Sequence, residues 1–340
     1  MDPRKPRILV VGAGAVGGVT AALIAEAGHD VRVLVRKREH AELIRTAGLH
    51  VTGVKGEHRI VVPAFASPLD VGDPADIILL ATKATALPAV IGSIGPLRKK
   101  DGVIVSLQNG MTAEKIAELV GNDAVFGCVV GWGATLRAPG EAEMTSTGDF
   151  LLGRLDGRDD ERLAVVKGVL DAVVPMRISP NIRGHIYAKL IINACITTLG
   201  AISGLNLGPL LKIPRARALF IRIIREAMAV AGAAGIFVEP LARLDFNSFI
   251  GGGPVASLRR HVLIRLIGFK YRRLRSSSLQ SLDRGEKTEI DALNGYIVDC
   301  GREYGVAVPL NANLVRMVKD IEDGVRAINP ANLYDPILSD

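Results

Sequence analysis

An apolar run from Ile8 to Val11 breaks into Gly12-x-Gly14-x-x-Gly17, and a run of small residues at helical spacing carries the chain on to Gly28. A second apolar strand then closes at Arg36. No other stretch constrains the fold as tightly. Glycine is common here, at 37 of 340 residues, so the triplet gains its meaning from the strand before it and the helix after it. In that setting Gly12 permits a tight turn, Gly14 lets a pyrophosphate approach the backbone, and Gly17 lets helix and strand pack closely. The helix N-terminus, with Ala15 and Val16 in its first turn, offers N–H groups and a partial positive charge to the phosphates. The competing reading is an ordinary glycine turn in an α/β protein.

The end of the second strand bears on which dinucleotide is taken. An NAD site places a carboxylate there for the ribose 2′-hydroxyl, whereas an NADP site places a cation for the 2′-phosphate. Asp30 lies near the expected spacing but precedes the strand, at the wrong end for that contact. The strand closes on Leu34, Val35 and Arg36, with Lys37 and Arg38 behind. The absence of an acid and the presence of Arg36 point to NADPH/NADP+.

A chain of this length accommodates two domains. The N-terminal half alternates strand and helix in the manner of a parallel sheet with crossover helices. Strands are expected at Leu49 to Val54, His58 to Pro63, Asp76 to Lys83 and Val103 to Gly110, the third followed by a helix and the fourth by a helix from Met111 to Val120. Antiparallel strands are expected between Ala124 and Leu155. A helix from Asp160 to Ala172 and a strand from Val173 to Ser179 follow. Beyond Pro180-Asn181 the periodicity is helical, over His185 to Leu199, Pro214 to Ala234, Leu258 to Arg275, Ser276 to Asp283, Thr288 to Tyr304 and Asn311 to Asp323. The fold class is therefore α/β, with a Rossmann-type dinucleotide-binding domain at residues 1–180 and an all-α substrate and catalytic domain at 181–340.

Some classes of function are disfavoured. The most apolar stretch, Leu190 to Leu211, is interrupted by Asn193, Thr197, Thr198, Ser203 and Asn206, so no integral membrane span is expected. No apolar signal region precedes the first strand. Cys128, Cys195 and Cys300 are scattered, as buried thiols in a reducing cytoplasm would be, and neither they nor the six histidines have metal-ligand spacing. No metal and no nucleic-acid partner are expected. The net charge is +7, and the acid-free segment from Phe246 to Leu282 carries seven cations. That segment reads as a basic surface helix or an oligomer contact, with anion recognition and a membrane-surface contact as alternatives.

Two strands of the first domain end in polar residues that packing does not require: Thr82-Lys83 and Gln108-Asn109-Gly110. Open α/β sheets bind ligands at the carboxyl ends of their strands. Each pair could also be a solvated turn. Farther on, Lys189, Asn193 and Thr197 are spaced by four and form one stripe on a helix otherwise rich in Leu, Ile, Ala and Cys. Such a stripe faces something polar, because a buried unpaired group costs about 1–3 kcal/mol. Lys189 alone could be a solvated residue of the first turn.

The glycine fingerprint, Lys83, Asn109-Gly110, Lys189-Leu-x-x-Asn193, Ser276-Ser-Ser-Leu-Gln280 and Thr288-Glu289-Ile-Asp-x-x-Asn-Gly295 occur in the order found in ketopantoate reductases (2-dehydropantoate 2-reductases). The chain resembles that family from Arg7 to about Val318. The resemblance implies a cytoplasmic enzyme that reduces a 2-oxo acid, 2-dehydropantoate, to pantoate with NADPH. It implies Lys189 as general acid and Glu289 as the carboxylate holding the lysine or the substrate hydroxyl. Asn109, Asn193 and Ser277 then contact substrate, and Lys83 lies near the nicotinamide. The family helix usually has a second asparagine where this chain has Thr197, which bears on the substrate. Other readings are a relative acting on a different 2-oxo acid, a 3-hydroxyacid dehydrogenase, and a non-catalytic NADPH-binding sensor. A homo-oligomer is compatible with each.

Overall fold

The structure, a computed structural model, describes residues 6–241 and 244–339. Its contacts divide the chain into two compact units, Met1–Ile186 and Tyr187–Asp340.

The first unit begins β1 (Arg7–Val11), α1 (Ala15–Glu26), β2 (Asp30–Leu34), α2 (Arg38–Ala47), β3 (Leu49–Gly53), β4 (His58–Ile60), β5 (Ala64–Phe65), β6 (Ala75–Leu80) and α3 (Leu87–Ile94). It continues β7 (Arg98–Ser106), α4 (Thr112–Val120), β8 (Val125–Val130), β9 (Gly133–Ala138), β10 (Glu141–Ser146), β11 (Phe150–Arg154), α5 (Glu161–Leu170) and β12 (Met176–Ile178). Among the described residues these strands form an eight-stranded sheet in the order β12-β11-β8-β7-β6-β1-β2-β5. All its pairings are parallel except that of β11 with β8.

The sheet is covered on both faces, which explains the unbroken apolar runs in its sequence. In β1, Ile8 and Val10 join one core cluster and Leu9 and Val11 the other. In β6, Ile77 and Leu79 separate from Ile78 and Leu80 in the same way.

A second, four-stranded sheet, β4-β3-β10-β9, was not legible in the sequence. There β3 pairs in parallel with β10, some ninety residues later, at His50↔Glu141 and Val51↔Ala142. Helix α1 is enclosed as a result. Its residues Gly17 to Ile24 are all buried, and Val51, Ala142 and Met144 of the second sheet share its core cluster. A helix buried all round needs no polar face.

The second unit is helical, as expected. Its helices are α6 (Ile182–Ser203, which starts five residues before the unit does), α7 (Leu207–Lys212), α8 (Pro214–Ala233), α9 (Pro254–Lys270), α10 (Ser277–Asp283), α11 (Asn294–Glu303) and α12 (Pro309–Glu322). Among the described residues α6 is long and apolar enough to cross a membrane, but 78% of its most apolar window is buried, as in a core helix.

One expected helix is not continuous. Thr288 to Tyr304 divides into a single turn at Ile290–Ala292 and α11, with Leu293 between them at φ −109 and ψ −98. The cause is side-chain competition for the backbone. Thr288 Oγ1 accepts from the Ile290 N–H, while the Thr288 N–H and hydroxyl both donate to Glu322 Oε1 at 2.7 and 2.6 Å.

Candidate active site

The first unit places its candidate residues just beyond the carboxyl ends of strands β1, β2, β6 and β7 of the large sheet. Strand order reverses beside β1, whose chain successors lie at β2 on one side and β6 on the other. Such a switch point opens a crevice at the carboxyl ends of the strands. The glycine loop follows β1 there. Gly12 has φ +95, and a Cβ on it would meet Thr82 at 3.0 Å; a Cβ on Gly17 would lie 1.9 Å from the Gly12 carbonyl oxygen. Both glycines are therefore fixed by the fold itself.

Gly14 differs. Its φ of −74 is ordinary, and a Cβ there would meet nothing within 4 Å. Nothing in the protein demands glycine at this position, so the open volume suits a group from outside. No side chain caps α1, and its first turn holds no acid. Ala15 and Val16 occupy that turn. An uncapped helix start beside an open glycine backbone fits a pyrophosphate.

The neighbouring strand ends are tied together. Gln108 Nε2 donates to Thr82 O at 2.9 Å and to Thr82 Oγ1 at 3.1 Å, and its Oε1 accepts from Ser106. This link was missed from the sequence, where Gln108 was only one polar residue of a turn. It fixes the loops that carry exposed Lys83 and half-buried Asn109. Asp30 pairs with Arg7 at the opposite, amino end of β2. Arg36 lies just beyond the carboxyl end of β2, exposed, with no side-chain hydrogen bond or ion pair among the described residues.

In the second unit the stripe on α6 is present, with Lys189 and Asn193 half-buried and Thr197 buried. The Thr197 hydroxyl donates to the Asn193 carbonyl at 2.7 Å, so its proton is already engaged within the helix. Two sequence motifs dock on this helix. Ser276 caps α10 by accepting from the Leu279 N–H, and its hydroxyl donates to Thr197 O at 3.4 Å. Gly200 admits that contact, since a Cβ there would come within 2.6 Å of Ser276 Oγ. Ser277, the next residue, is exposed at the start of α10.

The other motif docks through Asn294. Its Oδ1 accepts from Thr198 Oγ1 at 2.5 Å, and its Nδ2 donates to Ala194 O at 3.4 Å and Asn311 Oδ1 at 2.9 Å. Asn311 Nδ2 donates in turn to Glu226 Oε2, which also accepts the Asn311 N–H; Glu226 Oε1 accepts that of Leu310. Thr198, Asn294 and Asn311 are fully buried. The chain Glu226–Asn311–Asn294–Thr198 thus joins α8, α12, α11 and α6, and it anchors the segment carrying half-buried Glu289. The Asn-Gly pair was part of the recognised motif, but nothing in its spacing disclosed this bracing role.

Two family models match the chain: ketopantoate reductase PanE/ApbA over residues 8–157 and its C-terminal counterpart over 181–322. A 2-dehydropantoate 2-reductase from Archaeoglobus fulgidus is 30% identical over 323 residues, covering 95% of this chain and 100% of that one. The chain belongs to the ketopantoate reductase family. It is accordingly an oxidoreductase with a dinucleotide-binding fold.

A 2-dehydropantoate 2-reductase from Aquifex aeolicus is 27% identical over 92% of this chain and 96% of its own. A PanE/ApbA family ketopantoate reductase from Ralstonia eutropha superimposes with a TM-score of 0.80 at 29% identity, covering 94% of this chain and 99% of its own. D-mandelate dehydrogenase, solved with NADH and anilino(oxo)acetate, gives the same TM-score at 27% identity and the same coverages. Family membership therefore fixes the fold and the use of a nicotinamide cofactor more narrowly than it fixes the acid reduced.

Proposed function

We propose that this member of the family reduces 2-dehydropantoate to pantoate, the chemistry named for its relatives on the route to pantothenate, with NADPH as reductant. The observation that carries the reading is the bracing of both motif segments against the Lys189–Asn193 helix by Ser276 and Asn294. Buried hydrogen bonds of this kind hold polar groups in one arrangement. The open space at Gly14 and the uncapped start of α1 support the dinucleotide assignment. Ala15 and Val16 are assigned to the pyrophosphate contact, Arg36 to the 2′-phosphate, and Lys83 and Asn109 to the nicotinamide end.

When bound, the reduced nicotinamide supplies a hydride. Lys189 Nζ stabilises the negative charge that grows on the substrate oxygen and delivers the proton that completes the alcohol. Glu289 holds the lysine or the new hydroxyl in place. Asn109, Asn193 and Ser277 orient the substrate through hydrogen bonds. Thr197 lines the same helix face.

A different 2-oxo acid is the second reading, and Thr197 favours it. Its side chain is shorter than the asparagine usual in the family, and its hydroxyl donates to its own helix. The structural likeness to a mandelate dehydrogenase adds to this. The test is a panel of 2-oxo acids, including 2-dehydropantoate and an aryl 2-oxo acid, with NADPH and with NADH, followed at the nicotinamide absorbance. Highest kcat/KM with 2-dehydropantoate and NADPH is expected. A preference for the aryl acid selects the second reading, and no turnover with any acid leaves only a binding protein.

A further inference from the structure

Helix α12 ends among carboxylates. Asp320 and Glu322 lie in its last turn, and Asp323 follows at the cap. The macrodipole is negative at that end, so an acid there costs helix stability. What Glu322 grips accounts for its place. Its Oε1 accepts the backbone N–H of buried Thr288 at 2.7 Å and the Thr288 hydroxyl at 2.6 Å. Both lengths lie in the range of hydrogen bonds to an ionised oxygen, about 2.5–2.9 Å. With its proton committed to Glu322, the hydroxyl turns a lone pair toward the Ile290 N–H, 3.2 Å away. The backbone is thereby held on both sides of Glu289.

We propose that Glu322 is a positioning residue for the reaction: through Thr288 it fixes the backbone from which the Glu289 carboxylate reaches Lys189 or the substrate hydroxyl. The inference rests on the role proposed for Glu289 above. A carboxylate that holds a proton donor or a substrate acts only from the right place, and a shift of about 1 Å in such a group costs up to roughly 100-fold in rate. The Asn294 network secures the start of α11, five residues beyond Glu289. Glu322 secures the residues that flank Glu289 directly.

Two other contacts join this segment to the end of α12, and both are weaker. Lys319 Nζ pairs with Asp291 at 2.7 Å and Lys287 Nζ with Asp323 at 3.9 Å, but all four side chains are exposed. Ion pairs in water contribute little. The Glu322 carboxylate instead satisfies a buried N–H and a buried hydroxyl, which have no recourse to solvent.

The test is a double-mutant cycle in kcat, run on the full chain with the preferred 2-oxo acid. Glu322→Leu should lower kcat about 10–100-fold and leave the NADPH KM as it was, since the proposed phosphate contacts lie in the first unit. Glu322→Gln keeps an oxygen that accepts both bonds and should recover most of the loss. Once Glu289→Gln has removed the carboxylate, adding Glu322→Leu should cost no more than about twofold further, because two residues acting through one contact are not additive. Thr288→Val removes the hydroxyl at nearly constant shape and runs the same cycle if Glu322→Leu does not fold. A normal kcat in Glu322→Leu or Thr288→Val, a full additional loss in the double variant, or Glu322→Gln as slow as Glu322→Leu would overturn the proposal and leave the role of Glu289 standing. A near-normal kcat in Glu289→Gln would overturn both.

Discussion

At the scale of single residues, the three glycines of the fingerprint serve different masters. Gly12 and Gly17 are held by backbone conformation and close packing, so side chains there disturb the fold. Gly14 has neither constraint, and Gly14→Val should abolish dinucleotide binding while the thermal unfolding midpoint hardly moves; undiminished NADPH affinity would reduce the motif to a turn. Arg36→Ala should raise the NADPH KM about 10–100-fold, the weight of one charge-assisted contact, and leave NADH use nearly unchanged. Equal losses with both cofactors would remove Arg36 from the 2′-phosphate. The sequence disclosed these positions because strand, turn and helix are local.

An ionic cluster beside β11 was beyond such reading. Arg154 bridges Asp123, Asp156 and Asp160, which lie up to 31 residues from it. Hydrogen bonds from Arg154 hold Asp156 down at about 2, and those from Arg162 and then Arg154 do the same for Asp160. Both carboxylates ionise more readily in the folded chain, so their stabilisation is complete above about pH 4 and is lost as pH falls toward 2. Arg154→Met should therefore raise the pH midpoint of acid unfolding, measured by circular dichroism, and an unchanged midpoint would show the cluster to be inert.

Among elements, the long helices and the central parallel strands follow from period and apolar continuity. The second sheet does not. Strands β3 and β4 are five and three residues long, and β3 finds its parallel partner β10 only after many intervening elements. Nothing local records that pairing. The break before α11 was hidden for a related reason, since it depends on Glu322 and Asn311 arriving from α12. Asn294 is where the element scale meets the site. Asn294→Leu leaves the Thr198 hydroxyl and the Asn311 amide without their buried partner, at a cost of about 1–3 kcal/mol for each group left unsatisfied. Its unfolding midpoint should drop by several degrees, and kcat should fall with it because the Glu289 segment loses its anchor. An unaltered midpoint would deny the network its bracing role.

For the whole molecule, the proposed reading assigns separate roles to residues of each unit. It gives cofactor contacts to the glycine loop, Arg36, Lys83 and Asn109 of the first unit, and substrate contacts and proton transfer to Lys189, Asn193, Thr197, Ser277 and Glu289 of the second. The motifs themselves were legible because each is short and ordered along the chain, whereas the hydrogen bonds that brace the Ser276 and Asn294 segments run between residues as far as 100 positions apart. Proton delivery by Lys189 is the claim on which the reductase reading turns. Measured on the preferred 2-oxo acid at saturating NADPH, Lys189→Ala should lower kcat by on the order of 10²–10⁴, the contribution of a positioned acid–base group. Its NADPH affinity should match that of the wild type, because the proposed phosphate contacts all lie in the first unit. A near-normal kcat in Lys189→Ala would contradict the assignment and return the lysine to the helix surface.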